Sequence, residues 1–356
     1  MWMKRSASTL IMLVAGIALT AGCGTGEDAD GPDGPEGPPA TEVEEAIQAP
    51  VVMVTGSTAG LGRALALRLA SEGWHVIVHG RDEERAREVV EAIREEGTGS
   101  AAYYLADFAS LGQVQELARR IEADYDRLDV LVNNAGIGPG APGHERALSE
   151  DGHELRFQVN YLAGYLLTRS LLPLLEAGAP SRVVNVTSRQ QQPLDFDDMR
   201  MDHGYTGSLA YGRSKLAQIL HVVDLAEELA GMGIDAFAVH PAPAMDTDLV
   251  RETGGQPQTP VSRGVESVHR VVTEEGLPDG AFFFEQEEAQ AHEQAYDAVA
   301  RQRLRELSEA YVEEALGPGA TDEGAAERHR TSGFVPAPPG FVPAPQLAPA
   351  GPGLLF

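Results

Sequence analysis

Val51-Val52-Met53-Val54-Thr55-Gly56-Ser57-Thr58-Ala59-Gly60-Leu61-Gly62 sets four apolar residues directly against a glycine-spaced turn. The apolar residues predict a short buried strand, and the stretch from Arg63 to Ser71 predicts the helix that the turn opens. Such a turn lets backbone amides approach a ligand closely, and at a helix start those amides suit a pyrophosphate. A plain strand-to-helix turn could use the same residues, so the rest of the chain has to decide.

The alternation continues with a strand at His75 to Val78, a charged helix from Asp82 to Glu96 and a strand around Ala102 to Leu105. A helix from Leu111 to Asp124 and a strand at Val130 to Val132 follow. Beyond them come helix Phe157 to Leu175, strand Arg182 to Val186, helix Tyr211 to Ala230, strand Ile234 to Val239 and a last strand Ala281 to Phe284. Continuously apolar strands separated by helices predict an α/β fold, a doubly wound parallel sheet with helices on both faces. The 356 residues could hold two average domains, but the pattern predicts one, over residues 50–315.

The flanks differ in composition. Residues 1–22 read as a signal peptide, with Lys4 and Arg5 before an apolar run from Leu10 to Leu19 and small residues after it. Cys23 is the only cysteine, so no intramolecular disulfide can form, and its place after Ala21-Gly22 resembles a bacterial lipoprotein box. That resemblance implies lipidation of Cys23 and export to a membrane-anchored position on the periplasmic or extracellular face; a wrongly chosen start codon would leave the protein cytoplasmic. Residues 23–49 are acidic and Gly/Pro-rich, a predicted tether, and residues 316–356 form a Pro/Gly/Ala-rich tail predicted to be disordered. The net charge of −27 repels phosphate backbones and argues against nucleic-acid binding. The histidines lack metal-ligand spacing, so no metal is expected.

Lys215 is the only lysine after Lys4, four positions beyond Tyr211. Arginine carries the positive charge everywhere else, so a retained lysine points to work that suits a compact ammonium rather than a planar fork. A free tyrosine, with a pKa near 10, is too basic for acid/base work near neutrality, and an adjacent ammonium would lower it. Four residues apart on one helix, the two side chains share a face. Ser188 ends the strand Val183 to Ser188, placing its hydroxyl at the carboxyl edge of the sheet, where ligands of open α/β folds bind.

Thr55-Gly56-x-x-x-Gly60-x-Gly62, Asn133-Asn134-Ala135-Gly136, Ser188 and Tyr211-x-x-x-Lys215 together resemble the short-chain dehydrogenase/reductase family, over about residues 50 to 312. Within it the chain is most similar to the retinol-dehydrogenase-like branch, through Asp195 to Asp198 and Ala210 to Ala217. The resemblance implies a Rossmann-like fold and hydride transfer between a nicotinamide cofactor and a small, fairly apolar alcohol or carbonyl. It implies Tyr211 as general acid/base, Ser188 orienting the substrate oxygen, Lys215 tuning the tyrosine and holding the ribose, and Asn160 supporting a proton path. Gly56, Ser57, Gly60, Leu61, Gly62, Asn133, Ala135, Gly136 and Pro241 would border the cofactor, with Tyr211 and Lys215 reaching it. Asp107 matches the family residue beside the adenine, or is a helix N-cap. The helices of Asn160 and Tyr211 often form dimer faces in the family, so a homodimer is an expectation.

The second strand carries the cofactor choice. An NAD-preferring site places an acid near its end, whereas arginine accommodates a 2′-phosphate. Gly80 stands where the acid would be and Arg81 follows, so NADP is expected, with Arg63 a helper; Asp82 in a slipped register would serve NAD. Ala242 replaces the family glycine after Pro241, and Thr247 comes one place late, which puts the nicotinamide contact and a lid over about 242–263 in question. A non-catalytic, lipid-anchored scaffold on the same fold is the alternative.

Overall fold

The computed structural model describes residues 49–140 and 145–318. The signal peptide, Cys23, almost all of the tether and all but the start of the tail lie outside the described residues. One eight-stranded sheet forms the core, in the order β3-β2-β1-β4-β5-β6-β7-β8. Its strands are β1 (Val51–Val54), β2 (His75–Gly80), β3 (Ser100–Leu105), β4 (Val130–Asn133), β5 (Ser181–Val186), β6 (Ile234–His240), β7 (Phe282–Phe284) and β8 (Glu287–Ala289). All neighbours pair in parallel except β7 and β8, which pair antiparallel.

β1 is buried at every position, as a central parallel strand must be when helices cover both faces. One apolar layer comprises α1 (Gly60–Ser71), α2 (Glu83–Glu96) and α8 (Val261–Thr273); their Leu65, Val89 and Val268 pack with Val54 and Val132. The opposite layer contains α3 (Leu111–Asp124), α5 (Ala163–Ala177), α6 (Gly207–Glu228) and α9 (Ala298–Leu316). Strand order reverses between β1 and β4, so the connections leaving their carboxyl ends diverge and open a crevice there. The functional residues gather at that crevice.

Several elements depart from the sequence expectation. The helix expected over Phe157 to Leu175 is α4 (Leu155–Phe157), a π-helical turn (Gln158–Leu162) and α5 in succession. Periodicity does not reveal a one-residue expansion of the hydrogen-bond ladder, because the apolar face continues through it. α7 (Asp248–Glu252), α8, β8 and α9 were not anticipated. α9 lies over α6, joined by Arg301 to Glu227 at 2.6 Å and Arg305 to Asp224 at 3.0 Å, while Tyr161 meets Ser308 at 2.8 Å. A second subunit docking on that side of α6 would have to displace α9.

Candidate active site

The glycine turn is held from behind by β4 and the residue after it. Asn134 donates from Nδ2 to the carbonyl of Thr55 at 2.7 Å, and the Thr55 hydroxyl oxygen accepts from the amides of Asn134 and Ala135. Gly56 needs its missing side chain: with φ of 64°, a Cβ there would sit 2.9 Å from the Cα of Ala135. A Cβ on Gly62 would drive into the Gly56 carbonyl, so α1 can approach β1 only with glycine at that position. The N-cap of α1, Ala59, makes no side-chain cap, leaving the first amides of the helix without a side-chain acceptor. Uncapped amides at a helix N-terminus, with the macrodipole behind them, fit a pyrophosphate.

From this turn a cleft of about 870 Å³ runs along the carboxyl ends of the strands. Gly56, Gly60, Leu61 and Gly62 line it at one side, with Arg81 and Asp107 beyond them, while Ala135, Gly136, Ser188, Tyr211, Lys215 and Pro241 line the remainder. Three assigned residues stand behind the wall. Ser57 is fully buried, and its hydroxyl accepts from the amide of His79 at 3.0 Å. Asn133 points into the protein, donating to Thr168 Oγ1 at 3.0 Å and Asn185 Oδ1 at 2.9 Å, so its side chain braces β4 against β5 and α5. Asn160 sits inside the π-helical turn. Its Oδ1 accepts from the amide of Ile137 at 2.7 Å, and its Nδ2 donates to the carbonyl of Ile137 and to Ser214 Oγ. A Cβ on Gly136 would come 3.1 Å from Asn160 Oδ1 and 3.6 Å from Lys215 Nζ, which places the lysine beside that clamp.

Tyr211 and Lys215 both lie on α6, and both are nearly buried, at 9% and 5% exposure. The Ser188 hydroxyl lies beside Tyr211 in the cleft, and Ser188 Oγ accepts from the amide of Gln190 at 3.1 Å. Burial raises the Tyr211 pKa above its ordinary value, and the neighbouring Ser188 hydroxyl pulls it part of the way back. Lys215 does not face the phenol oxygen directly: Nζ donates to the carbonyl of Val186 at 3.0 Å and to Gln218 Oε1 at 2.8 Å, 5.7 Å from the tyrosine ring centre. Burial pushes the lysine down to about 7. The sequence expectation that the ammonium lowers the phenol therefore meets an opposing effect, since desolvation disfavours the charged form of each group.

At the adenosine end, Arg81 projects with 73% of its side chain exposed, 3.5 Å from Asp107 Oδ2. Asp107 is not the N-cap of α3, which is Ser110; its Oδ1 accepts from the amide of Ala109. Asp82 caps α2 by accepting from the Arg85 amide, so its carboxylate is engaged away from a ribose. Arg85, not Arg63, lines the cleft. A Cβ on Gly80 would lie 2.5 Å from Thr58 Cγ2, so the space an acid would need there is already filled.

Across the mouth, the lid carries α7. A Cβ on Gly138 would lie 3.1 Å from Leu249 Cγ and one on Gly60 3.3 Å from Thr247 Cγ2, so the lid touches both rims. Ala242 is buried and is not the strained position; the left-handed backbone falls at Ala244, with φ of 43°. Sequence reasoning missed His79, whose side-chain partners Gly56 and Ala106 belong to segments that follow other strands.

The family model for short chain dehydrogenase matches residues 50–258, and this chain belongs to that family of oxidoreductases. It is 35% identical to Retinol dehydrogenase 13 of Mus musculus over 293 residues, 79% of this chain and 82% of that one. Among solved structures, an uncharacterized protein from Mycobacterium paratuberculosis superposes with a TM-score of 0.63 at 27% identity, covering 78% of this chain and 98% of its own. A metagenomic short-chain oxidoreductase in complex with NADP gives 0.52 at 27% identity, over 66% of this chain and 95% of that one.

Proposed function

We propose that the protein is an NADP-preferring oxidoreductase that interconverts an apolar alcohol and its carbonyl. The carrying observation is that Tyr211, Ser188 and Lys215, the last one helical turn from the tyrosine, share one cleft with the uncapped amides of α1. The nicotinamide, when bound, supplies or accepts the hydride. Tyr211 delivers a proton to the substrate oxygen or removes one from it. Ser188 holds that oxygen against the phenol, and Lys215 supplies an ammonium beside the site. Asn160 fixes the segment after β4, against which Gly136 and Ile137 shape the cleft floor. Leu155, Val159, Ile137 and Leu249 on the cleft wall suit an apolar substrate, in keeping with a relative named for retinol.

NADP preference rests on Arg81 at the rim, Asp82 committed to capping and Thr58 filling the acid's place; a relative binds NADP. Purified full-length protein should oxidise NADPH with a panel of apolar aldehydes and ketones at least about tenfold more efficiently than NADH. Arg81→Ala should raise the KM for NADPH by roughly tenfold and leave that for NADH nearly unchanged, in line with one lost charge-assisted contact. Equal effects on both cofactors would refute the preference, and no turnover with any carbonyl would favour the scaffold alternative.

Export and a lipid on Cys23 are part of the same proposal, supported by the leader pattern. Among the described residues no helix is long and apolar enough to cross a membrane. In a bacterial host, Cys23→Ser should move the protein from the membrane to the soluble fraction; unchanged partitioning would remove the anchor.

A further inference from the structure

His79 is the penultimate residue of β2, directly behind the glycine turn and 3% exposed. Its Nδ1 lies 3.1 Å from the amide nitrogen of Gly56, which can only donate, so Nδ1 must be the acceptor. Its Nε2 lies 3.2 Å from the carbonyl oxygen of Ala106, which can only accept, so Nε2 must carry the hydrogen. Two backbone groups therefore fix one tautomer of a neutral ring. The main chain adds a reciprocal pair: His79 N donates to Ser57 Oγ at 3.0 Å, and Ser57 N donates to His79 O at 2.9 Å. Phe108 stacks on the ring at 4.5 Å and 28°.

We propose that His79 is a positioning residue for the cofactor, its neutral imidazole locking the glycine turn in the shape that receives the pyrophosphate while tying that turn to the segment that borders the adenosine. This role rests on the nicotinamide-cofactor reading above. The side chain joins three separate pieces of chain: the turn after β1 at Gly56, the end of β2 itself, and Ala106 next to Asp107. Gly56 is wedged against Ala135 with a positive φ, so its amide has little freedom to find another partner. An imidazolium there would set a donor against a donor. Burial opposes that charge and holds the ring pKa at about 4, against smaller upward effects of the Ala106 carbonyl and of Asp107, which is itself beside Arg81. Residues 56–62 of the turn bring no charged side chain toward it.

The test uses full-length protein and NADPH, with binding read from nicotinamide fluorescence and fold from circular dichroism. His79→Phe keeps a ring against Phe108 and removes both side-chain bonds; its Kd for NADPH should rise roughly 10- to 100-fold, the range expected for one or two buried hydrogen bonds. His79→Gln, whose amide offers one acceptor and one donor, should return to within about fivefold of wild type. In turnover, His79→Phe should raise the KM for NADPH while kcat at saturating cofactor stays within about threefold. Wild-type affinity in His79→Phe, or equal loss in folded Phe and Gln variants, would overturn the proposal. If His79→Phe does not fold, His79→Ala against His79→Gln carries the same comparison. A wild-type protein that binds neither NADPH nor NADH would overturn the cofactor reading and this role with it, whereas wild-type binding unchanged in the variants overturns this role alone.

Discussion

Tyr211→Phe lowers kcat by roughly a thousandfold, within the range of 10²–10⁴ expected for a lost general acid/base, and leaves the Kd for NADPH within about threefold. The change removes one oxygen. The ring keeps its place on α6, and Ser188 keeps the Gln190 amide as a partner, so neither the helix nor the end of β5 loses its support. Cofactor affinity should survive because the glycine turn, its Asn134 brace and the Arg81 contact to Asp107 involve no atom of Tyr211. Steady-state rates and a fluorescence titration on the same preparation separate the two effects. Retained turnover would remove Tyr211 from the chemistry, and lost binding would show that the residue serves the fold instead.

Acid destabilises the fold steeply between pH 6.5 and about 4. Burial holds the rings of His75, His79 and His240 at about 4, well below their ordinary 6.5. In that window the unfolded chain binds protons that the folded chain excludes, so stability falls as pH falls. Each ring loses about 2 kcal/mol by pH 5 and about 3 kcal/mol when the loss is complete. Carboxylates act in both directions: Glu154, Asp224 and Asp279 are raised by burial and resist the trend, while Glu72, Asp198 and Glu274 are lowered by partners and add to it. The carboxylates thus act with both signs, whereas the buried histidines all act in one direction and set the expected sign. At about 2–4 °C per kcal/mol, Tm at pH 5 should lie at least about 8 °C below that at pH 7.5. His240→Leu should flatten the slope without breaking a side-chain bond, since both ring nitrogens of His240 are buried without a partner. A flat or rising Tm would refute the buried-histidine explanation.

Legibility from sequence followed the range of the interaction. The alternation of strands and helices, the glycine turn and the Tyr211 to Lys215 spacing were legible because each rests on periodicity or steric need within a few residues. The orientation of Lys215 was not, because its partners Val186 and Gln218 meet only when α6 packs on β5. The inward turn of Asn133 depends likewise on Thr168 and Asn185, 35 and 52 residues away. The left-handed backbone at Ala244 carries no mark in the sequence, since glycine is the residue that favours that conformation.

By itself the sequence determined the α/β class, the site of the crevice and the residue types that meet there, since buried parallel strands and glycine-only turns leave local, periodic marks. Only the tertiary structure decided which polar atoms those residues hold. It made His79 a neutral clamp on Gly56, set Thr58 against Gly80 and laid α9 over α6. The physical reason is that a side chain's charge state and partners are set by burial and by groups distant in sequence, and neither exists until the sheet has assembled.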